Sequence, residues 1–207
     1  IFFKKDLQEA LSYKFQFVFS LISVLITILV GFFFSKLFVG NNESLQAYNN
    51  DYFSFLILGI AITDMSSITI NSFGASIRNY QLTGTFEEVI SSRNPIYKVL
   101  ISGFAYPIAF ASTRFILYVL LANAFFDLNI TLNADLLFLI CIIFLTIFSF
   151  ISVGLISASF ILVLKRGNPI NFLYIGLTSI IGGVLYPVSI LPTPLQTLSN
   201  ILPLRHS

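Results

Sequence analysis

The sequence predicts an all-α integral membrane protein, and three observations carry that prediction. Of 207 residues, 57% are hydrophobic and only 10% are charged, whereas ordinary globular chains carry roughly 25% charged residues. Mean hydropathy is +0.92. Five apolar runs reach the roughly 20 residues a helix needs to cross a bilayer, and they do not alternate apolar and polar residues as barrel strands would. With 24 Phe and 9 Tyr against 11 Lys and Arg, there is too little charge to clothe a water-facing surface. A soluble enzyme, a disordered tail and a nucleic-acid binder are excluded.

The runs are Phe15–Val39, Tyr52–Ile77, Val99–Phe126, Leu136–Leu164 and Phe172–Ile190. Pro194–Leu204 is too short to cross. The first run is too long for the apolar core of a signal peptide, and no small-residue cleavage site follows it. Residues 1–14 mix apolar and charged side chains at roughly helical spacing, a pattern that lies in the membrane interface with lysines toward lipid headgroups. An ordinary basic flank gives the same pattern.

Loop charges orient the spans. Lys4, Lys5 and Lys14 precede the first, Arg78, Arg93 and Lys98 join the second to the third, and Lys165 and Arg166 join the fourth to the fifth. All fall on one side, which the positive-inside rule makes cytoplasmic. The other side holds Glu43, Asp51, Asp127 and Asp135, with Lys36 near a helix end, where it can snorkel. The expected protein is a multi-pass resident of the plasma (bacterial inner) membrane, N-terminus inside.

Several chemistries are missing. There is no phosphate-binding G-x-x-x-x-G-K-[ST] loop and no H-E-x-x-H, nor a G-x-S-x-G elbow. One Cys and one terminal His, Cys141 and His206, make neither an internal disulfide nor a metal site. No catalytic residue and no metal ligand is expected on this chain.

The loop between the second and third runs, residues 78–98, is the most informative. Thr85 is placed to cap a helix of about two turns whose first turn holds Glu87 and Glu88, where carboxylates favour the positive helix end. Asn94-Pro95 would stop it. Such a helix, held by two spans, can pass a push from a soluble partner into the membrane; a capped loop without a partner reads the same.

Here the chain resembles the type 2 ABC exporter permeases. Gly84-Thr85-Phe86-Glu87, with Pro95 eight residues on, is similar to that family's G-T-[LF]-E…P signature after the second span. Gly183-Val184-Leu185-Tyr186-Pro187, then Leu191-Pro192 and Leu202-Pro203, resembles its G-x-x-[FY]-P…L-P…L-P pattern. The resemblance covers essentially the whole chain. It implies six spans, of which five are placed, and a start at Ile1 with an end at Ser207 is read as truncation that removes the sixth. It also implies a coupling role for Gly84, Thr85, Phe86, Glu87, Glu88, Arg93 and Pro95. Residues 187–204 become a re-entrant outer gate marked by Gly183, Tyr186, Pro187, Leu191, Pro192 and Pro203; a proline-rich outer loop is the alternative. A separate ATP-binding subunit would hold ATP and magnesium, and a second permease, as a homodimer or a related chain, would complete the transporter of a drug, lipid or polysaccharide. A secondary transporter or channel without an ATPase, or a structural membrane subunit, are the competing readings.

Two charges fall inside the runs. Asp64 lies 14 residues from Arg78, and Arg114 lies 16 from Lys98, which at 1.5 Å per residue puts them roughly 21 and 24 Å deep. A charge at the centre of a span costs about 2.5–3.5 kcal/mol, so an Asp64–Arg114 pair is expected, as a structural tie before a substrate or proton site. Ser66, Ser67, Thr69, Asn71 and Ser72 make the second run unusually polar, and face either a pathway or one another. Ala105 with Ala109, and Ser179 with Gly183, have the spacing of close helix contacts.

Overall fold

The computed structural model describes residues 14–36, 51–91, 96–126, 136–164, 169–186, 188 and 191–199. These form seven helices: α1 (Lys14–Lys36), α2 (Tyr52–Leu82), α3 (Phe86–Ser91), α4 (Ile96–Phe126), α5 (Leu136–Leu164), α6 (Pro169–Ile181) and α7 (Thr193–Ser199). Four of them contain stretches long and apolar enough to cross a membrane: Val18–Lys36, Tyr52–Leu82, Tyr106–Phe126 and Ile143–Val163.

The second helix is the spine. Half of its most apolar window is buried within the protein, against 17% for α1 and α4 and 28% for α5. Its N-terminal half packs on α1 and α4 through Val24, Ile28, Phe53, Ile57, Ala61, Tyr118 and Ala122. An aromatic cluster closes that end: Phe32 meets Phe53 edge-on at 5.7 Å, and Phe126 sits 4.3 Å from Phe32 and 5.5 Å from Phe53. Its C-terminal half turns to α5 and α6 through Ile70, Phe150 and Tyr174, and to α5 again through Phe73, Ile77 and Ala158. Lys36 ends α1 with its ammonium 4.4 Å from the centre of the Phe32 ring.

Lipid removes the hydrophobic drive between spans, so close packing of small residues carries much of the association. The glycines show where this happens. A Cβ on Gly154 of α5 would lie 2.7 Å from the buried ring of Phe73, and one on Gly31 of α1 would lie 2.9 Å from Ile57. Of the small-residue pairs expected to do this work, Ala109 is exposed and Gly183 lies beyond the end of α6, while the side chains of Ala105 and Ser179 lie outside those described. Spacing alone does not say which helix face meets a neighbour.

The fifth expected span is not one continuous helix. α6 ends at Ile181 and has 13 residues, roughly 20 Å of helix and short of the about 30 Å of a hydrocarbon core. Residues 182–186 bend away, with Gly183 at φ +75°, a conformation that costs other residues about 1–2 kcal/mol. A hydropathy window reads straight through this break because the bent residues are as apolar as the helix before them. The interfacial helix expected over residues 1–14 lies outside the described residues except for Lys14, the first residue of α1.

Candidate functional site

Three places on α2 bring the sequence-derived residues together. The first is its C-terminal corner. Gly84 has φ +70°; its N–H donates to the Gln81 carbonyl at 3.3 Å and the Thr85 N–H to the Tyr80 carbonyl at 3.1 Å. This is a Schellman closure, which satisfies carbonyls at a helix end and favours glycine at the left-handed position. The Thr85 hydroxyl pairs with that of Thr83 at 2.8 Å. The chain then enters α3, six residues with Glu87 and Glu88 in the first turn, both exposed. Phe86 opens that helix. Arg93 and Pro95 lie outside the described residues. The result is a tightly turned corner with two exposed carboxylates.

The second place is mid-span. Arg114 Nε donates to Asp64 Oδ2 at 2.7 Å, with the side chains 12% and 27% exposed respectively. Arg114 Nη1 donates to the Ser20 hydroxyl at 2.7 Å. One guanidinium thus joins α1, α2 and α4, a fork geometry that a lysine ammonium would not reproduce. Sequence reasoning missed Ser20, because a lone serine in an apolar span carries no mark of its partner.

The polar residues of α2 sort into two groups. Ser66 and Thr69 are buried and donate to the carbonyls of Thr63 and Met65, both at 2.8 Å, and Ser72 donates to that of Thr69 at 2.7 Å. Their hydrogen bonds stay within the helix. Asp64, Ser67, Asn71, Ala75 and Arg78 recur at three- and four-residue intervals and so share the opposite face. On it Asn71, Ala75 and Arg78 are exposed, and the Asn171 side-chain amide of α6 donates to Asn71 Oδ1.

The third place is the opposite end of α2. The Tyr52 hydroxyl donates to the Leu185 carbonyl at 2.6 Å. A Cβ on Gly59 would lie 2.9 Å from the Val184 carbonyl oxygen. The Tyr186 hydroxyl turns back to the Ile180 carbonyl. Beyond it the Leu191 N–H donates to the Val188 carbonyl at 3.1 Å, and Pro192 starts α7 by accepting from Leu195 and Gln196. Pro187 and Pro203 lie outside the described residues, as does the part of the expected re-entrant segment after Ser199. Among the described residues no group of three or more His, Cys, Asp and Glu could hold a metal ion.

No curated protein and no solved structure matches the chain. The family model of the ABC-2 type transporter matches residues 3–207. With a helical fold built on membrane-length helices and a match over nearly its whole length, the chain belongs to the ABC-2 type transporter family, as its membrane domain.

Proposed function

We propose that this chain is the permease subunit of an ATP-driven exporter in a bacterial inner membrane, moving a drug, lipid or polysaccharide-like substrate. ABC-2 permeases function with ATP-binding subunits, and the membrane domain has no ATPase activity of its own. ATP and magnesium would therefore sit on the partner, and a second permease, most simply another copy, would complete the pathway. The chain is one transmembrane domain with a cytoplasmic N-terminus. Residues 1–14 lie against lipid headgroups, 78–98 form the coupling loop, and 187–204 return into the outer leaflet beside a fifth span that is broken after Ile181.

The observation that carries this reading is the course of α2. It is an unbroken 31-residue helix, about 46 Å long, with the acidic corner at one end and a broken, glycine-bent segment at the other. Its exposed face from Asn71 to Arg78 supports a pathway beside it, because polar groups at membrane depth avoid lipid and face protein or a water-filled cavity.

The test is transport by the full-length protein reconstituted in liposomes with its ATP-binding subunit. Expected is vanadate-sensitive ATP hydrolysis whose rate responds to lipid-like or drug-like amphiphiles. Solute movement driven by a proton or sodium gradient, with no ATPase present, would replace this reading with a secondary transporter or channel.

A further inference from the structure

The segment 182–186 leaves the helical path, so its backbone groups need partners that an α-helix would have supplied. One partner comes from far away in sequence: Tyr52, 133 residues before Leu185, donates its hydroxyl to the Leu185 carbonyl at 2.6 Å. Tyr52 is held firmly. It is the first residue of α2, and the Asp51 carboxylate just before it accepts from the backbone of Phe53 and Ser54, at 3.1 and 3.2 Å, and from the Ser54 hydroxyl at 2.6 Å. Seven residues on, and so on the same face, Gly59 leaves room for bare backbone. A side chain there would stand 2.9 Å from the Val184 carbonyl oxygen and 3.2 Å from its Cα. Val184 itself is buried against Ile70, Phe150 and Tyr174. The bent segment thus rests on α2 through one hydroxyl, one glycine and the packing of Val184 with Ile70.

We propose that Tyr52 is a positioning residue that fastens the segment Gly182–Tyr186 to α2, so that displacement of α2 from its α3 end is delivered to that segment. This rests on the permease reading above. The helix between the two ends is continuous, and its C-terminal closure leads into α3 through Gly84 and Thr85. A push on the corner therefore has a stiff element to travel along, and the Tyr52–Leu185 bond with the Gly59 contact is where it is handed on.

The experiment uses the full-length permease co-purified with its ATP-binding subunit, in a Cys141→Ser background with Leu185→Cys as reporter. Position 185 is 43% exposed, and its reaction with a membrane-impermeant maleimide is read on the permease band. The parent is expected to change its labelling rate when the complex is trapped with ATP and vanadate. Tyr52→Phe keeps the ring and removes the hydroxyl. Without nucleotide it should label roughly three- to tenfold faster, the shift that loss of one ordinary hydrogen bond produces, and it should lose the response to trapping. Gly59→Ala, which displaces the same backbone without touching the hydroxyl, should do likewise, and it decides the matter where Tyr52→Phe is not recovered from the membrane. Variants that label like a responding parent in both states overturn the fastening role alone. A parent blind to nucleotide overturns delivery of motion to this segment, whereas a parent from which no ATP-binding subunit co-purifies overturns the permease reading itself.

Discussion

Replacing Arg114 by leucine is expected to destabilise the protein by up to about 3–5 kcal/mol, the cost of leaving one member of a fully buried pair uncompensated. Asp64 would be stranded mid-span at 27% exposure, and Ser20 would lose the donor that ties α1 to the bundle. Asp64→Leu should cost a similar amount for the mirror-image reason. The double variant Asp64→Leu/Arg114→Leu should be more stable than either single one, because it removes both charges and leaves no ion unpaired. Thermal unfolding of the four proteins in one detergent decides it. A double variant no better than the singles would mean that each charge has some other partner. Arg114→Lys should recover only part of the loss, since an ammonium cannot serve Asp64 and Ser20 from one planar fork.

The second large effect concerns Gly84. Gly84→Val is expected to cost about 1–2 kcal/mol in strain, because a β-branched residue is forced to φ +70°. The functional loss should far exceed the stability loss. A Cβ there meets nothing within 4 Å, so packing is not the issue; the direction of α3 is. The bonds from Gly84 and Thr85 to Gln81 and Tyr80 set that direction, and a chain that relaxes out of the left-handed region swings Glu87 and Glu88 elsewhere. Nucleotide-driven transport should fall by more than about tenfold while Tm in detergent drops by only a few degrees, as a change of that size predicts. Gly84→Asn, which tolerates the left-handed region better, should keep most of the activity. Equal losses for Val and Asn would argue that the glycine is needed for a close approach of the partner instead of for the turn.

How much of this was open to a reader of the sequence depends on what kind of physics fixed each part. Helix positions were legible because a membrane imposes length and apolarity directly: Leu136–Leu164 follows from composition alone. The two charges inside the runs stood out because charge in lipid is costly, and counting residues put them at matching levels, where they pair. The glycines were visible as letters but not as roles. Gly154 and Gly31 carry contacts whose partners, Phe73 and Ile57, lie on another helix, and no spacing rule names a face. The break after Ile181 was hidden because Val184 and Leu185 are as hydrophobic as the helix they interrupt. The hydroxyl of Tyr52 was hidden for a different reason: its acceptor is a main-chain carbonyl, and any residue type supplies one.

We propose the corner after α2 as the place where an ATP-binding subunit takes hold. The most direct measurement is a pull-down of the full-length permease from detergent-solubilised membranes, comparing the parent with Glu87→Lys/Glu88→Lys. Both carboxylates are exposed, so folding is expected to survive the change and Tm in detergent is measured alongside. Expected is an ATPase subunit that co-purifies with the parent and is lost, or retained at least about tenfold more weakly, in the reversed variant, since like charges brought together at a docking surface disfavour the complex. An ATPase that stays bound to the reversed variant, or a parent that yields none in several mild detergents, would contradict it.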